Sequence, residues 1–284
     1  LRVTVRNCVF RDMTGDAIHV RSHADVHIAN LSVSNCFRGG FTVTGSDVDV
    51  LVTNLITTGD VDRTGIDVEL DGGQGAANLR IVNASLDGDF DVGLRQGSTA
   101  EFVNVTTLAG PFNILATDSR VRCVSCRFVV GMGSTKTNRI VQPGDVSFES
   151  CAFTLTDETP GGPEAVAANI FWQSGSELRT GQRVRFSQCT FETSGRFDTG
   201  EITGGVETVG PIAIAVGPTG IDDDNRVTVE GGRISAGFAQ GIHLRRGGLL
   251  SVRGTLFESS LGLRLFGNAN EERAFRVSLD RVDI

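Results

Sequence analysis

The sequence predicts an all-β chain wound as a solenoid, a right-handed parallel β-helix of about eleven rungs, and three observations carry this reading. Thirty-six glycines, 39% hydrophobic residues and abundant Val, Ile, Thr and Phe suit strands joined by tight turns, and no long segment shows helical spacing. An octet recurs along the chain, apolar at its first, third and eighth positions and small or polar at its fifth. All six prolines lie outside the octets, as a backbone hydrogen-bonded on both edges requires.

The octets begin at Val3, Val26, Val50, Leu79, Ala100, Val121, Val146, Val184, Val227, Leu250 and Val277. Successive starts are 21 to 43 residues apart (Ala100 after Leu79, Val227 after Val184), inside the range of roughly 20 to 50 typical of stacked repeats. Only Thr57 and Thr107 break the apolar rule, both at the eighth position. Most octets are followed by a short second strand, as in Ile18-His19-Val20, Phe41-Thr42-Val43, Ile66-Asp67-Val68, Ile242-His243-Leu244 and Leu263-Arg264-Leu265. Octet, turn, second strand and turn make one coil, and coils stack about 4.8 Å apart. No single coil can bury its own apolar face, so the stack is the folding unit. Right-handedness follows from the strong bias of crossovers between parallel strands. Residues 1–284 therefore read as one β-helix domain, with insertions at 154–168 and 192–211 placed alike on adjacent coils. Neither outer strand edge has a cap in the sequence, so the chain is expected to be the centre of a longer polypeptide.

Two columns follow from stacking the octets. Position five reads Asn7, Asn30, Asn54, Asn83, Asn104, Ser125 and Ser150, which predicts an amide ladder at a bend, with the Asn side chains turned inward. Asn30-Leu31-Ser32, Asn83-Ala84-Ser85 and Asn104-Val105-Thr106 match glycosylation acceptors, and an inward ladder argues against their use. Position six carries Cys8, Cys126, Cys151 and Cys189, read as a column of small, buried, reduced thiols. Cys123 falls at an apolar third position, and Cys36 has no evident partner. The lone Cys123-Val124-Ser125-Cys126 lacks the second pair or nearby His that zinc needs, and no metal ligand is assigned.

A net charge of -8, with 34 acidic against 26 basic residues, disfavours nucleic acid, because phosphate binding needs concentrated positive charge. No stretch approaches the roughly 20 apolar residues of a membrane-spanning helix, so no membrane insertion is expected.

The octet with its second strand resembles the repeat of the pectate-lyase-like, right-handed parallel β-helix superfamily, across nearly the whole chain, with no individual enzyme family matched. That superfamily holds polysaccharide lyases, glycoside hydrolases, epimerases, tailspikes and adhesins, so the resemblance implies a carbohydrate-directed protein at an extracellular or cell-surface location. Thr14-Gly15-Asp16-Ala17-Ile18-His19-Val20 is similar to the polygalacturonase segment Gly-Asp-Asp-x-Ile-x-Ile. Ala17 replaces its second aspartate, and the other catalytic segments are missing, so those catalytic roles do not transfer.

Members of the superfamily lay substrate along an outer sheet, which directs attention to outward residues of the second strand. Asp67, Glu69, Asp91 and Arg95 are the catalytic candidates. Alternation places Asp67 and Glu69 about 7 Å apart on one face, with Asp91 expected diagonal to Asp67 at roughly 8 Å, a spacing suited to an inverting glycosidase. His19 and Arg21 on the same face, and Phe171 beside the insertions, are the candidate substrate-binding residues. The bland counterpart is a solvated charged face with Glu69 paired to Arg95, and Phe171 covered by an insertion. Lys136 with Arg139 could suit the chemistry of a polysaccharide lyase, but reads better as an exposed turn. No cofactor is expected. Asp87-Gly88-Asp89-Phe90-Asp91 and Asp222-Asp223-Asp224-Asn225 offer oxygen ligands to calcium without completing a binding pattern, and Gly72-Gly73-Gln74-Gly75 lacks the Asp of a calcium nonapeptide. The reading is thus a β-helix that binds an extended polysaccharide, with a hydrolase or lyase activity left open. Its alternative is a noncatalytic tailspike, adhesin or surface spacer, with a homotrimer or flanking domains of the same chain as partners.

Overall fold

The computed structural model describes the chain except residues 38, 46, 60–63, 70–74, 96, 111, 132–137, 157–165, 175–176, 179–180, 195–201, 204–205, 208–209, 218–223, 246–247, 267–274 and 284. The fold is a parallel β-solenoid built from a 16-stranded sheet and a 10-stranded sheet, and the described residues contain no helix. The octets form the first sheet and the short second strands form the other.

All eleven octets stack with their first positions in register, from Val3 against Val26 through to Leu250 against Val277. Apolar residues of the first and third positions point inward, and most are fully buried, Ile28, Val52, Ile81, Phe102, Phe148 and Phe186 among them. The two exceptions also point inward and keep their hydroxyls occupied. Thr57 donates to the Asp87 carbonyl (3.3 Å) and accepts from the Asp87 amide (2.9 Å), while Thr107 accepts from the Val129 amide at 3.1 Å. A buried hydroxyl is tolerated only on such terms.

Position five sets the corner. In every octet its backbone is left-handed: Asn7, Asn30, Asn54, Asn83 and Asn104 have φ of 53 to 57°, and Ser125, Ser150, Gln188, Gly231, Gly254 and Arg281 have φ of 51 to 65°. Asparagine tolerates this region better than other side chains, and glycine does so without strain. The strand bends there, so each coil has two arms in the first sheet and a third in the second. Strands carrying Asn run unbroken through the bend, as in Ala24–Ser34 and Ala77–Asp87; those carrying Ser divide in two, as in Arg120–Val124 and Arg127–Gly131. The amide ladder is present: Asn30 donates to Asn7 (2.7 Å), Asn54 to Asn30 (2.8 Å), Asn83 to Asn54 (3.3 Å) and Asn104 to Asn83 (2.9 Å). It runs on the outside of the bend, however, and all five asparagines are exposed, against the inward orientation expected. The left-handed residue everts its side chain while its neighbours on either side return to the sheet. Burial therefore does not protect the glycosylation-like asparagines; Asn30, Asn83 and Asn104 instead have Nδ2, the atom that would carry a glycan, engaged as a ladder donor.

The core is one continuous column along the solenoid axis. Phenylalanines fill its middle, with Phe148 over Phe186 (centroids 5.1 Å apart, rings 7° from parallel) and Phe153 over Phe191 (4.8 Å, 6°). The thiol column stands at three of its four positions: Cys126, Cys151 and Cys189 are buried and each donates to a carbonyl of the preceding coil at 3.4 Å, whereas Cys8 is only partly buried and donates to the Arg6 carbonyl of its own coil; all six cysteines are free.

The two insertions are shorter than their expected bounds where they are described. Residues 154–156 complete the strand Ala152–Thr156 and residues 166–168 open the strand Val166–Phe171, while 157–165 lie outside the described residues. In the second insertion a small antiparallel pair, Ile202–Thr203 with Val206–Glu207, is described, and 195–201, 204–205 and 208–209 are not. Lys136 and the run Gly72-Gly73-Gln74 also lie outside the described residues.

Candidate functional site

The outer face of the second sheet is built by in-register stacking, so a single sequence offset defines a column across the coils. One column runs His19, Thr42, Asp67, Asp91, Asn113, Arg139, Asn169, Ala215, His243 and Arg264. It is accessible in the middle, from Asp67 to Arg139, and buried at Thr42 and at Asn169 through His243. A parallel column two residues along runs Thr44, Glu69, Gly93, Leu115, Val141 and Phe171. Its last three residues make a half-exposed apolar strip beside Asn113 and Arg139.

Asp67 and Asp91 are brought together more closely than expected. They are direct register partners, so the diagonal offset is absent and their backbones stand one rung, about 4.8 Å, apart. Like charges facing across a sheet repel, and the Asn113 amide donates to Asp91 at 2.9 Å from the next coil. Glu69 is exposed on the same strand as Asp67, beside Gly93. Arg95 follows the end of the strand Asp89–Leu94 and is exposed at the corner, where its carbonyl accepts from the Ser98 hydroxyl at 2.5 Å. Among the described residues no ion pair joins Glu69 to Arg95.

Phe171 is partly buried and stacked in register on Val141, while the insertion residues 157–165 lie outside the described residues. The cluster that does form apart from the main core is Val166, Ile212 and Ala215. Phe171 belongs to the seventh strand of the sheet and Asp67 to the third, so the two mark different stretches of one face.

His19 lies two coils before Asp67 and is engaged on both ring nitrogens. Nδ1 stands 3.4 Å from an Asp16 carboxylate oxygen, and Nε2 is 2.8 Å from the Thr44 hydroxyl of the next coil. The Asp16 side chain is only 7% exposed and the imidazole 27%. Arg21 is exposed and follows Val20, the register partner of Val43, which places it next to Thr44. Sequence reading singled out His19 and Arg21 but missed Thr44. Aligning the second strands residue by residue would have placed Thr44 beside Glu69, yet the diagonal bond to His19 depends on side-chain conformation.

For calcium, no cluster of three or more His, Cys, Asp or Glu side chains suited to a metal occurs among the described residues. Asp87 is turned to the Gly59 amide (3.0 Å) at the corner, away from Asp91 on the sheet face, and Asp222 and Asp223 lie outside the described residues. No helix of the described residues is long and apolar enough to cross a membrane. Comparison with protein-family models, with curated proteins and with solved structures finds no match for this chain.

Proposed function

We propose that this solenoid is a right-handed, pectate-lyase-like β-helix that binds an extended polysaccharide along the outer face of its second sheet, outside the cell or on its surface. The observation that carries the reading is the accessible column Asp67, Asp91, Asn113 and Arg139 beside the apolar strip Leu115, Val141 and Phe171. Sugars present hydroxyls and a C–H face together. Carboxylates and amides repeated every 4.8 Å or so meet the hydroxyls, and Phe171 meets the C–H face of a ring. Glu69 and Arg95 flank the column and extend the polar contacts, and His19 and Arg21 extend them toward the first coil. Should hydrolysis accompany binding, Asp67 and Asp91 supply its pair of carboxyl groups.

The test is a panel of neutral and uronate polysaccharides, assayed by calorimetry and by release of reducing ends, with and without calcium. Binding that falls at least tenfold in Asp91→Ala and Phe171→Ala, in chains with unchanged circular dichroism, supports the reading. Absence of binding across the panel overturns it.

A specific observation favours a second reading, a noncatalytic spacer. The outer face of the first sheet is a ladder of mutually paired charges, Arg80 to Glu101, Glu101 to Arg122 (both 2.8 Å), Arg122 to Glu149 and Arg185 to Glu230. Such a surface is self-satisfied. The spacer reading expects trimers in solution and no glycan binding.

A further inference from the structure

We propose that Asp16, His19 and Thr44 form an acyl-transfer relay that hydrolyses a carboxylic ester, with Thr44 as nucleophile. The relay does not require the polysaccharide reading and shares none of its Asp67 to Arg139 column, although it uses His19 and Arg21, which that reading counts as flanking contacts.

The geometry is that of a hydroxyl activated by an imidazole that is itself oriented by a carboxylate. An Asp16 carboxylate oxygen, just before Ile18–Val20, stands 3.4 Å from His19 Nδ1, and the Thr44 hydroxyl oxygen stands 2.8 Å from Nε2; with the ring proton on Nδ1, facing the carboxylate, Nε2 is the acceptor for the hydroxyl. Shielding of the carboxylate beside a reachable imidazole edge is the distribution such a relay needs: the orienting charge stays out of water and the base meets substrate. Backbone pairing fixes the parts, because Ile18 and Val20 are locked to Phe41 and Val43 and the Ala17 amide donates to the Gly39 carbonyl at 3.1 Å. The Thr42 hydroxyl, beside His19 in the column, is buried to 1% exposure and has no hydrogen-bond partner among the described residues. Arg21, next to Thr44, supplies positive charge for the oxyanion.

A purely structural staple between coils is the competing account. Structural devices in this solenoid repeat from coil to coil, as the asparagines, thiols and phenylalanines do. Among the described residues this network occurs once: the positions that follow Thr44 along its column are Glu69 and Gly93.

The chemistry balances with water as the only co-reactant. The Thr44 oxygen attacks the ester carbonyl carbon as its proton passes to His19 Nε2. The ester C–O bond breaks and the alcohol leaves with that proton. Water, deprotonated by Nε2, then attacks the acyl-threonine, releases the carboxylic acid and restores both side chains.

The experiment is p-nitrophenyl acetate hydrolysis by the intact chain, followed by stopped flow and by peptide mapping of the acetylated intermediate. The expected result is a burst of one p-nitrophenolate per chain and an acetyl group on Thr44. Thr44→Val and His19→Ala lose activity by about 100-fold or more, and Thr44→Ser keeps it. Asp16→Asn, a positioning change, lowers kcat with KM unchanged. No hydrolysis above buffer, acetyl on another residue, or wild-type turnover in folded Thr44→Val overturns the proposal.

Discussion

At the scale of single residues, one backbone conformation organises the molecule. Position five of every octet is left-handed, and side-chain identity there is a compromise between backbone strain and ladder bonds. Asn54 both donates to Asn30 and accepts from Asn83, so its replacement loses two amide bonds. Asn54→Val should destabilise the fold most, by about 2 kcal/mol, because a β-branched residue adds left-handed strain to the lost bonds. Asn54→Ala should follow and Asn54→Gly should cost least, since glycine relieves the strain; urea midpoints rank the three. A second residue-scale prediction concerns pH. The Arg122 hydrogen bond holds the Glu149 carboxyl below its usual range. A lowered carboxylate stabilises the folded chain above the unfolded carboxyl range, and that contribution disappears as pH falls through the lower, folded value. Glu149→Gln should therefore lose stability at neutral pH, by under about 1 kcal/mol since the pair is exposed, and match the parent in strong acid. Denaturation curves at both pH values check this.

Among elements, identical strands repeat identical environments, and this explains why cysteine can recur without forming disulfides. Cys126, Cys151 and Cys189 occupy one octet position on consecutive coils, each tied to a carbonyl of the coil before. Burial raises the Cys123 thiol well above its ordinary range, holding it in the unreactive neutral form. Maleimide or Ellman's reagent should leave Cys123, Cys126, Cys151 and Cys189 unmodified in the native chain, label the half-exposed Cys8 first, and reach all six cysteines only in denaturant. Rapid native labelling of the column would show that these coils open locally. The phenylalanine stacks beside the thiols belong to the same central strands.

For the molecule as a whole, a solenoid has nearest-neighbour energetics, each coil stabilised by the two it touches. Inward residues of the first coil, Val3, Val5, Cys8 and Phe10, are only partly buried, as are Leu263, Val277 and Val282 of the last coils, whereas Phe148, Phe153 and Phe186 are fully enclosed. Amide hydrogen exchange should be slowest in Asp145–Glu149 and Arg183–Ser187 and faster by orders of magnitude in Arg2–Arg11 and Phe275–Asp280. Uniform protection along the chain would mean that the stack opens as one cooperative unit. The relay of Asp16, His19 and Thr44 lies on the first two coils of the chain, and the accessible acidic column begins on the third.

The sequence by itself determined the inward half of this protein. An inward position tolerates only apolar side chains or satisfied hydroxyls, and that constraint repeats with every coil, so the octets, their starts and the thiol column were legible as a pattern. Outward positions carry no such constraint, and only the tertiary structure decided how they meet. Asp67 and Asp91 face each other because the corners between coils set the register, and corner geometry leaves little local signature. The asparagines point out because a left-handed residue everts its side chain, a property of φ that residue type alone does not reveal. Thr44 reaches His19 across 25 residues of sequence, a distance that parallel stacking reduces to one hydrogen bond.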